Sequence, residues 1–331
     1  MLHISNSYSR VIFNGIPEYI ANWKTIDDIT VYPYHTDKPY MVAAQFIKTY
    51  QSKGCLSVNG IESKEAYFFI NSVTEIKTIL TQTQLTEDDY KIICADNDKN
   101  RRTLKDYTIS SSIDAPKRFN FITSKSFEGV DFFSETGLCF IVSNVQNKHT
   151  LVSIDMDIPQ IIGRIRTKTN PFKNKVVHIF NTKPTDHYTT YEDMKLAIQS
   201  EIEAAQERAD LLNSSTLSES AIKQQVNEIR KVGNESYLTY LNENFLVNDM
   251  IGRLQLYSFL ISNVVYQSDK SLRETYAQSG MIVTKGKWQI APEKFVKDLI
   301  AKPTFRETHK HFCNIMENPL TFSLGMLEIE Q

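Results

Sequence analysis

Cysteine is scarce. The four in 331 residues, Cys55, Cys94, Cys139 and Cys313, lie far apart, and no two have the paired spacing of a zinc site. Three sit in or beside apolar runs, which reads as buried free thiols in a reducing cytoplasm. A basic excess is missing too: 37 Lys and Arg against 39 Asp and Glu leave a net charge of -2, so any track for a polyanion has to be local. No apolar run approaches the roughly 20 residues of a membrane span. The stretch after Met1, with His3, Asn6 and Arg10, has no signal-peptide core. There is no internal repeat and no low-complexity segment. No Gly-x4-Gly-Lys-Ser/Thr loop is present to cradle a phosphate; the stretch from Gly280 to Lys287 has the wrong spacing and runs into Trp288. A strand-end Asp-Glu pair for magnesium is absent as well.

What is present is ordinary globular material, 41% hydrophobic and 23% charged, long enough for two domains. From Thr30 onward, β-rich runs (29–34, 66–70, 91–95, 119–122, 138–142, 176–180) alternate with helical patterns (40–50, and one from Val73). The run 66–70 is unbroken apolar, as expected of a strand covered on both faces. Ser72-x-x-Glu75 reads as a capping box, opening a helix that buries Ile76, Ile79 and Leu80. This alternation predicts a three-layer α/β domain with a mostly parallel sheet. The segment 96–114 is polar, with Lys99, Arg101 and Arg102 clustered. After Thr182 the text turns helical: a hairpin over 191–213 and 218–231, a core helix over 245–266, a small β-turn element around Gly286, and short helices over 292–302 and 306–317.

Two pieces carry chemistry. The first runs from Thr123 to Asp131, where a strand delivers Thr123 and Ser124 into a loop that Gly129 allows to turn or approach a ligand closely. The second is Asp157-Ile-Pro-Gln160-Ile-Ile-Gly163-Arg164-Ile-Arg166. On a helix Gln160 and Arg164 share one face, with Ile161, Ile162 and Ile165 buried opposite. Arg166, two residues beyond Arg164, falls about 160° away on an ideal helix, so it can act beside Arg164 only if the helix ends or tightens there. Two tempting patterns are set aside. Asp155 follows an apolar run but falls between the two pieces, and His309-x-His311-x-Cys313 reads as the end of an amphipathic helix; no metal site is expected.

Thr-x5-Gly-x-Asp followed by Gln-x-x-Gly-Arg resembles motifs V and VI of superfamily 2 nucleic-acid helicases of the DEAD/DEAH type. The strand, Asn71-Ser72 and helix resemble motif IV, and 10–17 resembles a degraded motif III. The wording Gly-Arg-Ile-Arg looks closest to the herpesvirus origin-binding proteins.

The resemblance implies a RecA-like domain, the second of a pair, over 30–185. The end of the first domain or a linker would lie at 1–29, and an all-α accessory domain at 186–331. It implies that Arg164 and Arg166 serve as catalytic arginines. Gln160, Gly163, Gly129 and Asp131 would contact the nucleotide; Thr123, Ser124, Asn71 and Ser72 would contact a nucleic-acid backbone. ATP and Mg2+ would be held mainly by an N-terminal RecA-like domain, in cis or in trans, so the chain alone is expected to be inactive. The partner would be nucleic acid, DNA ahead of RNA, with no membrane. The alternative is a non-catalytic nucleic-acid or protein interaction module that keeps the fold without ATP turnover.

Overall fold

A computed structural model of the chain describes residues 28–127, 130–184, 189–233 and 236–291. The expected strand–helix alternation forms β1 (Thr30–His35), α1 (Pro39–Lys53), the hairpin β2 (Leu56–Val58) and β3 (Ile61–Ser63), β4 (Glu65–Phe69), α2 (Val73–Thr83), β5 (Tyr90–Ile93), α3 (Asp98–Leu104), β6 (Phe119–Ile122), β7 (Gly137–Ser143), α4 (Asp157–Ile162) and β8 (Lys175–Phe180). The strands lie in one parallel sheet, ordered β1-β8-β7-β4-β6-β5. This is the three-layer α/β class that the alternation predicts.

The central strands are mostly apolar because both faces are covered. On one face Phe68 sits in register between Phe121 and Phe140 and stacks on both, with ring centroids 5.5 and 4.7 Å away. Phe46 of α1 and Ile76, Ile79 and Leu80 of α2 close that side. On the other face Tyr67, Phe69, Ile141 and Val176 meet Ile158, Ile161 and Ile162 of α4. The predicted cap at Ser72 is present, its side chain accepting from the Glu75 amide at 3.4 Å. The reciprocal half of the box is not formed: the Glu75 carboxylate accepts from Asn147 Nδ2 at 3.1 Å instead.

The C-terminal part is mainly helical, as expected, with α5 (Tyr191–Ser214), α6 (Glu219–Val232), α7 (Asp249–Asn263) and α8 (Asp269–Gln278). It also contributes strands. The run read as one helix over 245–266 opens instead as half of the antiparallel hairpin β9 (Leu238–Leu241) and β10 (Asn244–Val247); α7 begins only after Asn248, whose side chain accepts from the Met250 amide at 3.2 Å. In place of a turn element around Gly286, β11 (Ile282–Val283) pairs in parallel with β1 and makes a seventh strand.

The chain then crosses to the far face, where Trp288 packs against Tyr32, Tyr34 and Phe46 with centroids 5.8, 6.3 and 5.5 Å away. Gly286 lies under the indole, close enough that a Cβ would stand 1.6 Å from the ring. Meanwhile Tyr257, Ile261, Tyr266 and Tyr276 lie in the same apolar cluster as α4. There His178, fully buried on β8, bonds to the Tyr276 hydroxyl through Nδ1 at 2.5 Å and to Ser143 Oγ through Nε2 at 3.0 Å. Burial pushes the His178 pKa down to about 3, so the imidazole is neutral in the folded chain. The motif III segment, both short C-terminal helices, and His309, His311 and Cys313 lie outside the described residues.

Candidate functional site

The connections out of β4 and β6 leave the sheet toward opposite faces. After β4 the chain enters α2 on one side; after β6 it passes Phe127, buried on the other. Open α/β sheets bind ligands at such a divergence, beyond the carboxyl ends of the strands. A cleft of about 490 Å³ lies there, and Asn71, Ser72, Thr123 and Ser124 all line it. Asn71 organises it: its Oδ1 accepts from the Ser124 hydroxyl at 2.7 Å, and its Nδ2 donates to the His149 carbonyl at 2.7 Å.

The four residues do not present themselves equally. Ser124 is exposed. Thr123 is buried, its hydroxyl directed at the Ile93 carbonyl 3.4 Å away, and Ser72 is occupied as the cap of α2. Of the three cations clustered in the sequence only Lys99 reaches the cleft. Arg101 is instead held by Asp96 through two bonds of 2.6 and 2.8 Å. That pairing holds the Asp96 carboxyl below its usual range. Lys125 and His149 also line the cleft. Reading the sequence missed both, although Lys125 directly follows Ser124.

The second group gathers where α4 ends. The expectation that Gln160 and Arg164 share a helix face is not met, because α4 stops at Ile162. The last turn tightens, with the Arg164 amide donating to the Ile161 carbonyl at 3.1 Å. The chain then becomes extended: Ile165 forms a parallel bridge with Phe132. The Phe132 amide donates to the Arg164 carbonyl at 2.7 Å and the Arg166 amide to the Phe132 carbonyl at 2.9 Å. The helix ends at the Gly163 cap, and Ile165 is buried beside Phe132 just beyond it. In an extended segment side chains two apart share a face, so Arg164 and Arg166 project together, and the 160° separation of an ideal helix no longer applies.

Both guanidiniums turn to Asp131. Arg166 Nε lies 2.8 Å from Asp131 Oδ1 and Arg164 Nη1 lies 3.6 Å from the same oxygen. Arg164 Nε also donates to the Gln160 carbonyl at 2.9 Å, satisfying one of the open carbonyls of a helix end. Gln160 is therefore linked to Arg164 through its main chain. Gly163 has φ -63 and ψ -10, ordinary helical angles that any residue adopts. Gly129 lies outside the described residues. None of Asp131, Gln160, Arg164 and Arg166 lines the Asn71 cleft, so the nucleotide set and the backbone set occupy separate places. Asp155, set aside above, accepts the Tyr257 hydroxyl at 2.8 Å and anchors α7. Among the described residues no cluster of His, Cys, Asp or Glu is arranged to hold a metal, and no helix is long and apolar enough to cross a membrane.

No family model matches the chain, and no curated protein matches it. Among solved structures, one described as Mss116p DEAD-box helicase domain 2 bound to an RNA duplex aligns with 78% of this chain and 99% of its own, at 13% identity and a TM-score of 0.28. So loose a superposition leaves the residues' own geometry as the basis for any functional conclusion.

Proposed function

We propose that the chain is the C-terminal RecA-like half of an ATP-dependent nucleic-acid helicase or translocase, DNA ahead of RNA. The observation that carries this reading is the convergence of Arg164 and Arg166 on one anionic oxygen. As phosphoryl transfer begins, negative charge spreads over the γ-phosphate oxygens, and planar, permanently charged guanidiniums stabilise it. The Asp131 carboxylate occupies the position such oxygens would take, so the pair fits a phosphate. Magnesium does not fit here, since no suitable acidic cluster exists among the described residues. The metal and most ATP contacts belong to an N-terminal RecA-like domain, in cis or in trans. Asn71, Ser124, Lys99 and Lys125 form the nucleic-acid track; contacts of this kind go to phosphates and position a strand without reading its sequence.

The deciding experiment measures nucleic-acid-stimulated phosphate release. The chain joined to the N-terminal domain is expected to turn over ATP, and the chain alone is not. Turnover by the chain alone at helicase-like rates contradicts the reading.

One observation favours a second reading, a non-catalytic interaction module. Arg164 is already engaged as a helix-end cap and an ion-pair partner. On that reading the joined protein binds nucleic acid without hydrolysing ATP.

A further inference from the structure

The bridge between Phe132 and Ile165 has an outer face that no motif covers. Phe132 and Ile165 point into the core, at 3% and 2% exposure. Their neighbours on each segment therefore point outward: Asp131 and Phe133 on one, Arg164 and Arg166 on the other. Phe133 is 72% exposed, flanked on both sides by buried residues, Phe132 and Ser134. Phe133 follows Phe132 by one residue and Arg166 follows Ile165 by one, so the parallel register of the bridge would set the two on neighbouring positions. A large aromatic ring held out by two buried neighbours loses hydrophobic free energy unless something covers it.

We propose that Phe133 is the base platform of a nucleotide subsite, stacking on the base of a purine nucleotide whose phosphates meet Arg164 and Arg166. This rests on the reading of those arginines as phosphate ligands and adds the residue that receives the base. Along the segment Asp131 and Phe133 are about 7 Å apart, a distance that a nucleoside with its phosphates spans. Both guanidiniums converge on a single point at the Asp131 end. That arrangement suits the compact charge of a polyphosphate better than the spaced charges of a strand, which the Asn71 cleft accommodates. Glu135, next outward-facing residue beyond Phe133, bonds to the Thr169 hydroxyl at 2.5 Å. The guanidiniums lie at the Asp131 end, so phosphates that take the place of the Asp131 carboxylate there leave the base over Phe133.

Ligand-observed NMR with ATP, saturating the protein and titrating the nucleotide, tests this at the weak affinity of an isolated half-site. Saturation should pass to the adenine protons. Phe133→Ala should abolish that transfer and weaken ATP binding roughly 5- to 160-fold, the range for losing one base–aromatic stack. Phe133→Trp should restore both. Inorganic tripolyphosphate, which has no base, should bind Phe133→Ala as it binds the parent and should lose affinity for Arg164→Ala and Arg166→Ala.

If ATP binding depends on the arginines but is unchanged in Phe133→Ala, this proposal falls and the phosphate reading stands. Absence of any ATP or tripolyphosphate binding at millimolar concentration overturns this proposal, while the arginine reading, in which the N-terminal domain holds most of the nucleotide, is decided by the turnover experiment. If Phe133→Ala impairs binding of a single-stranded oligonucleotide and leaves ATP untouched, the platform belongs to a strand and the proposal is overturned.

Discussion

Arg164 and Arg166 meet at the same atom, Asp131 Oδ1, from two positions that an ideal helix would set on different faces. The meeting depends on the helix ending at Ile162 and on Ile165 being drawn into a bridge with Phe132. On the proposed function both arginines act on the phosphates, and both substitutions should be severe. In the protein carrying its N-terminal domain, Arg164→Ala and Arg166→Ala should each lower ATP turnover steeply, toward the roughly 10³–10⁵-fold cost of losing an arginine finger. Nucleotide affinity should fall much less. Steady-state hydrolysis alongside ATP titration separates the two effects. Near-normal turnover in Arg164→Ala would remove the catalytic assignment.

Lys99 and Lys125 line the Asn71 cleft; Arg101, tied to Asp96, does not. Lys99→Ala and Lys125→Ala should each weaken nucleic-acid binding uniformly across sequences and reduce the salt slope by about 1. Arg101→Ala should change the slope little. Anisotropy titrations at several salt concentrations measure this; equal effects at all three positions would argue for a diffuse surface.

His178 makes stability depend on pH with a definite sign. Its folded pKa is about 3, whereas an unfolded histidine titrates near ~6.5. Between those values the unfolded chain binds the extra proton, so stability falls as pH drops through ~6.5 and keeps falling toward ~3, at about 1.4 kcal/mol per unit. From about pH 7 to about pH 5 the parent should lose about 2 kcal/mol more than His178→Gln. Urea unfolding of both proteins at the two pH values gives the difference, and parallel losses would show that the imidazole is not held neutral.

Trp288 seals the face that Tyr32, Tyr34 and Phe46 present. Trp288→Ala should cost about 2 kcal/mol, less than a fully buried aromatic because the indole is only half-buried. Gly286→Ala should cost a similar amount, because its Cβ displaces the ring. Thermal denaturation of the two variants should give matching shifts in Tm. A silent Gly286→Ala would mean that the indole is not seated.

The fold was legible wherever a local pattern carried it. The runs that became β4, β6, β7 and β8 are mostly apolar because both sheet faces are covered, with Asn120 and His178 as buried polar exceptions. Ser72 announced its helix through its own hydroxyl. The misses share a cause, which is that the deciding partner is distant in sequence. Gly163, next to Ile162, is the one local sign of a helix end; that the chain beyond it becomes extended depends on Phe132, about thirty residues upstream. β10 was absorbed into a helical pattern because its partner β9 had not been recognised. Lys125 and His149 become neighbours only through the divergence of the β4 and β6 connections. The alternation that buries Phe132 and exposes Phe133 belongs to the bridge.

The seventh strand has a consequence for how the chain reaches its native state. β1 precedes both of its partners by a long stretch of chain: it pairs with β8, at Thr30 to Lys175, and with β11, at Thr30 to Ile282. Pairings this distant in sequence form slowly, because the loop must close before the contact repays it. The strands β4 to β7 can assemble while the ribosome is still working. β1 must wait for β8, and one of its edges stays bare until residues near 282 emerge. Once it emerges, β11 caps that open edge and closes the unpaired strand to a second chain.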